Sequence, residues 1–99
     1  MDTYWTLKAQ DDLECVYHFA LQYSRRHGEE VLSWLVTAGA GLADHPVIGV
    51  LQDRYLPRLV RKVLFAECEV HYVVREESIY IVDIWHTKED RNRAFLAPV

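Results

Sequence analysis

The sequence predicts an α+β domain in the order β-α-α-β-β-β, with a two-helix hairpin packed on a small antiparallel sheet. Three observations carry that prediction. Two stretches in the first half repeat apolar residues at helical spacing. Stretches in the second half alternate, or run apolar, at strand length. Turn and stop signals at Gly28, at Asp44-His45-Pro46 and at Arg75-Glu76-Glu77-Ser78 separate them.

Tyr4-Trp5-Thr6-Leu7-Lys8 is short, aromatic and β-branched, and so predicts a first strand. Asp11 then offers a helix N-cap with Glu14 as its reciprocal partner. Leu13, Val16, Tyr17, Ala20 and Leu21 form one apolar face. Arg25, Arg26 and His27 suit the negative end of that helix, and Gly28 suits a left-handed C′ position. A second helix is predicted from Glu29, with a core stripe of Val31, Leu35, Ala38 and Leu42 widened by Leu32 and Trp34. Gly39 and Gly41 each cost about 1 kcal/mol in a helix interior, tolerable where close packing requires them. His45 precedes Pro46 and stops the helix. A loop continues through Gly49 to Pro57.

Three strands follow. Leu59 to Phe65 is the first. Cys68, Val70, Tyr72 and Val74 alternate with Glu69, His71, Val73 and Arg75 in the second, as a sheet with one buried face requires. Ile79 to Trp85 is apolar almost throughout except for Asp83, which predicts a central strand. Lys88 to Phe95 is predicted as a further helical turn. No internal repeat divides the chain, so residues 1–99 form one domain.

A composition of 51% hydrophobic and 26% charged residues is that of a globular protein, not a disordered one. The longest apolar runs fall short of the roughly 20 residues of a membrane span, and no secretory signal is visible. Two cysteines in a domain with a full core point to a reduced, cytoplasmic protein. The net charge is −4, carried entirely by residues 1–50, which hold three cations and seven acids. Arg54, Arg58, Arg61 and Lys62 gather without an intervening acid, a local basic segment suited to an anionic partner. The acidic total counts against direct nucleic-acid binding. The His and Cys residues show no metal-ligand spacing, and no phosphate loop, nucleophile elbow or carboxylate pair is present, so neither metal nor cofactor is expected.

Three stretches resemble one family. Asp12-Leu13-Glu14-Cys15-Val16-Tyr17-His18-Phe19 is similar to the opening helix of the RelE/ParE toxin superfamily. Leu42-Ala43-Asp44-His45-Pro46-Val47-Ile48-Gly49 resembles the end of its second helix. Glu69 to Val74, followed by Ile79 to His86, resembles its paired strands. The resemblance covers nearly the whole chain and favours the ParE-like branch, because the last strand ends in Trp85-His86 before a charged tail.

That resemblance implies a plasmid-stabilising toxin of a type II toxin–antitoxin module, held by a cognate antitoxin and directed at DNA gyrase without catalytic residues. Glu89 stands where a second Arg would be usual. Antitoxin or target contact falls to Arg54, Arg58, Arg61, Lys62, Trp85, His86, Lys88 and Arg91. The alternative it allows is a ribosome-dependent endoribonuclease using some of Arg58, Arg61, Lys62, Tyr72 and His86. Against it, Glu69 occupies the position of a catalytic Arg and would repel phosphate. A third reading, a protein of this fold that has lost toxicity and acts only as a binding partner, is favoured by the pI near 5.7. Alternation divides the basic segment, placing Arg58 and Lys62 with Val60, and Arg61 with Leu59 and Val63. Tyr72 falls on the apolar side of its strand.

Overall fold

The structure, a computed structural model, describes residues 1–65 and 67–86. Its elements run β1 (Asp2–Trp5), α1 (Leu7–Leu21), α2 (Arg25–Gly41), β2 (Val50–Leu51), a short 3-10 helix (Asp53–Tyr55), β3 (Arg61–Phe65), β4 (Cys68–Arg75) and β5 (Ser78–His86). The predicted order holds, with one addition: the long loop contributes the two-residue edge strand β2.

The first strand begins and ends earlier than predicted, at Asp2 and Trp5, and Thr6 ends it by turning the chain. Its hydroxyl caps α1 by accepting the Ala9 N–H (3.1 Å) and donates to the Ile81 carbonyl (3.0 Å). The helix therefore starts before Asp11, and Leu7 to Gln10 are good helix formers that extend it. Asp12 ties α1 to the sheet instead, accepting the Ile84 N–H (3.1 Å) and the Lys8 ammonium (2.6 Å).

Arg25, Arg26 and His27 open α2 rather than closing α1. Ser24 is the N-cap, and its hydroxyl accepts the His27 N–H at 3.0 Å. Two cations in the first turn oppose the helix dipole, but Glu29 and Glu30, each one turn on, pair with them at 3.3 and 3.1 Å. Gly28 is not a left-handed cap. It lies where α2 crosses α1, and a Cβ there would meet Leu21 Cδ2 at 2.7 Å. Gly39 serves the sheet side in the same way, with Trp5 and Ile81 at 3.0 and 3.1 Å.

The sheet order is β1-β5-β4-β3-β2. It is mixed, not wholly antiparallel, because β1 runs parallel to β5 with Asp2 opposite Ser78 and Trp5 opposite Ile81. Both helices cover one face. Ala9, Val16 and Ala20 of α1 and Val31 and Leu35 of α2 pack with Leu42 on Cys68, Val70, Tyr72, Ile79, Ile81 and Ile84. Burying an aliphatic side chain of this kind contributes about 1.5–3 kcal/mol, so this layer dominates stability. Trp34, predicted to widen the core stripe, is 51% exposed.

The β4–β5 hairpin turns at Glu76 and Glu77, with φ of 51° and 63°. Two-residue hairpins need left-handed central residues, and here Glu fills positions that Asn and Gly occupy at lower cost. The faces of β4 alternate as predicted, but the second face is not left to solvent. Cys68 through Tyr72 are all buried, Glu69 and His71 included, because β4 is an interior strand covered on both faces.

Candidate functional site

The loop between α2 and β3 is clamped from the sheet. The Tyr72 hydroxyl accepts the Gly49 N–H and donates to the Pro46 carbonyl, both at 2.9 Å. Arg61 donates through Nη1 to the Gly49 carbonyl at 2.8 Å and the Val47 carbonyl at 3.4 Å. A Cβ on Gly49 would lie 2.8 Å from the Tyr72 hydroxyl, so this approach requires glycine. Held this way, the loop turns Val47 and Ile48 outward, 69% and 59% exposed.

Beside them runs an apolar groove of about 180 Å³, lined by Ala38, Gly41, Leu42, His45, Ile48 and Phe65. Gly41 leaves its floor open, since no other side chain approaches within 4 Å of its Cβ position. Trp34 stands one helical turn before Ala38 on the same flank. Large apolar side chains exposed together in this way mark a surface for another macromolecule.

The basic segment is dispersed. Arg54 is exposed, donates to the Tyr55 hydroxyl at 3.1 Å and lies 4.9 Å over its own neighbour's ring. Arg58 is exposed in the turn before β3, and because the strand begins at Arg61 and not at Leu59 as predicted, strand alternation does not place it on a face with Lys62. Arg61 pairs across to Tyr72 on the helix-covered face, and Lys62 pairs with His71 on the other. Those two cations therefore point to opposite sides of the sheet.

His86 ends β5 opposite Cys68, four positions along β4 from Tyr72. It is buried edge-on to Phe19, with ring centres 4.7 Å apart. Trp85 is half-buried opposite Glu69 on the far face. Lys88 and Arg91 lie outside the described residues, as do Glu89 and the predicted helical turn from Lys88 to Phe95. Of the residues named for ribonuclease chemistry, Arg61 and Tyr72 meet at the loop clamp. Arg58, Lys62 and His86 do not join them.

Sequence alternation misses one cluster. On the face away from the helices, His71 Nδ1 bonds the Asp83 carboxylate, and its Nε2 lies 3.9 Å from Glu69. The Tyr55 ring packs over this imidazole, 5.9 Å between centres. Nε2 is buried without a hydrogen-bond partner among the described residues. The available signal was Asp83, the one charged residue in an otherwise apolar strand. Among the described residues no cluster of three or more His, Cys, Asp or Glu could hold a metal ion. Cys15 is exposed and Cys68 buried, and no disulfide joins them. No helix among the described residues is long and apolar enough to cross a membrane.

No curated protein sequence matches this chain. A solved structure described as a chromosomal ParDE toxin–antitoxin system from P. aeruginosa matches it with a TM-score of 0.72 at 20% identity. That match covers 87% of this chain and 95% of the other, and it establishes the shared fold. The family model described as the ParE toxin of the type II toxin–antitoxin system parDE matches residues 4–91. With the helix hairpin on its sheet and most of its length covered by that family, the chain belongs to the ParE toxin family of type II toxin–antitoxin systems.

Proposed function

We propose that this protein is a cytoplasmic toxin whose groove between α2 and β3 receives an apolar segment of a cognate antitoxin, and that the free toxin inhibits DNA gyrase. The observation that carries the antitoxin reading is the clamped loop, which presents Val47 and Ile48 beside an apolar groove with Trp34 on its flank. Family membership supports the toxin reading. Arg58, exposed at the start of the same loop's exit, adds a contact for acidic side chains on the antitoxin.

The test is co-purification with the product of a neighbouring reading frame, followed by a gyrase supercoiling assay with and without it. Inhibition that the antitoxin relieves is expected. Supercoiling unaffected by pure toxin at micromolar concentration would overturn the gyrase reading. A second reading, a binding partner without toxicity, is favoured by the net charge of −4. Normal growth on expression together with tight antitoxin binding would select it. Cleavage of ribosome-programmed mRNA would instead select the endoribonuclease reading.

A further inference from the structure

The other end of α2 carries a second cleft, of about 370 Å³, which the proposed function does not use. Phe19, Tyr23 and His27 recur at four-residue intervals across the link between α1 and α2. Their rings meet edge-on, Phe19 with Tyr23 at 5.9 Å and Tyr23 with His27 at 5.5 Å. His86 continues the row beyond Phe19, and Ala20 forms part of the floor. Glu67 stands on the rim in the turn between β3 and β4. It is exposed, has a φ of 63°, and makes no ion pair with the described residues.

The Phe19 and Tyr23 rings and the Glu67 carboxylate all favour a cation. The face of a Phe or Tyr ring attracts cations through its quadrupole, and Tyr23 is the more exposed of the two. A rim carboxylate supplies a full opposite charge. The neighbouring cations do not serve it, since Arg25 and Arg26 are paired with Glu29 and Glu30. The competing occupant is an anion, because the start of α2 presents the positive end of its dipole. Glu67 weighs against that, and Ser24 already takes the His27 N–H.

We propose that this cleft binds an arginine side chain of a polypeptide partner, its guanidinium stacked on Tyr23 and bonded to Glu67. A planar guanidinium can do both at once, whereas an ammonium offers only a point charge. This site is independent of the antitoxin groove, and its test needs no antitoxin.

The full chain, labelled with ¹⁵N, is titrated separately with N-acetyl-arginine amide, N-acetyl-lysine amide, N-acetyl-glutamate amide and inorganic phosphate. The expected result is saturable shifts at the amides of Phe19, Tyr23, His27 and Glu67 with the arginine probe, weaker with lysine and absent with the two anions. Glu67→Gln and Tyr23→Ala should each weaken the arginine probe by about fivefold while the remaining spectrum stays dispersed. Both residues are exposed, so the fold should survive either change. Shifts by phosphate or glutamate at these amides, unsaturable shifts with arginine, or unchanged affinity in both variants would overturn the proposal.

Discussion

Tyr72 shows how one side chain can be mistaken for chemistry. Its position on the apolar side of β4 is legible from alternation, but its hydroxyl partners are not, since Pro46 and Gly49 lie far back in the sequence. Removing that hydroxyl strands a buried Gly49 N–H. Tyr72→Phe should therefore cost about 1–3 kcal/mol, read as a lower urea midpoint with an unchanged slope. Arg61 belongs to the same clamp, so Arg61→Glu should lower stability as well as antitoxin affinity. Arg58→Glu should lower affinity alone, because Arg58 is exposed and outside β3. Calorimetric titration beside thermal unfolding separates the two effects. Unchanged affinity in Arg58→Glu would remove that residue from the interface. The Glu69-His71-Asp83 cluster makes the opposite point. Glu69 and His71, predicted to face solvent, are buried, and Asp83→Ala would leave the His71 imidazole without its bonded partner. That loss should exceed the few tenths of a kcal/mol of an exposed pair such as Arg25–Glu29, and unfolding of Asp83→Ala beside Glu29→Ala compares them.

Among the elements, the hairpin and the helix ends carry the sharpest tests. Glu76 and Glu77 both occupy left-handed conformations at the β4–β5 turn, although neither is a usual residue for one. Replacing the pair by Asn-Gly should stabilise the protein by about 1 kcal/mol, seen as a rise in the unfolding midpoint. Gly41 sits at the end of α2 with open space over it. Gly41→Ala should add up to about 1 kcal/mol through the unfolded chain, and should weaken the antitoxin by filling the groove floor. Gain in both quantities would place the antitoxin elsewhere. The turn at residues 75–78 was legible in sequence because charged residues interrupt two apolar runs. The start of α2 was not. Three basic residues before a glycine match the end of one helix as well as the start of the next, and the outcome rested on Ser24 as a cap and on Glu29 and Glu30 as counter-charges.

For the whole molecule, stability depends on a pairing between opposite ends of the described chain. β1 is hydrogen-bonded to β5, and Thr6 bonds the Ile81 carbonyl as it starts α1. Deleting residues 1–5 would turn β5 into an edge strand and uncover Ile79 and Ile81, which are now fully buried. Such a chain should lose cooperative unfolding, and amide exchange at Ile79 to Ile81 should accelerate by orders of magnitude. Sequence alone determined the number, type and order of the main elements, the helix faces, the 75–78 turn and the resemblance to the toxin family. Those properties repeat locally, within a turn of helix or a pair of strand residues. Only the tertiary structure decided that β1 joins in parallel, that β4 is buried on both faces, that the basic segment divides, and that Arg61 and Tyr72 hold a loop. Each of those depends on which distant segment covers a residue, and covering is a property of the assembled layers that periodicity does not encode.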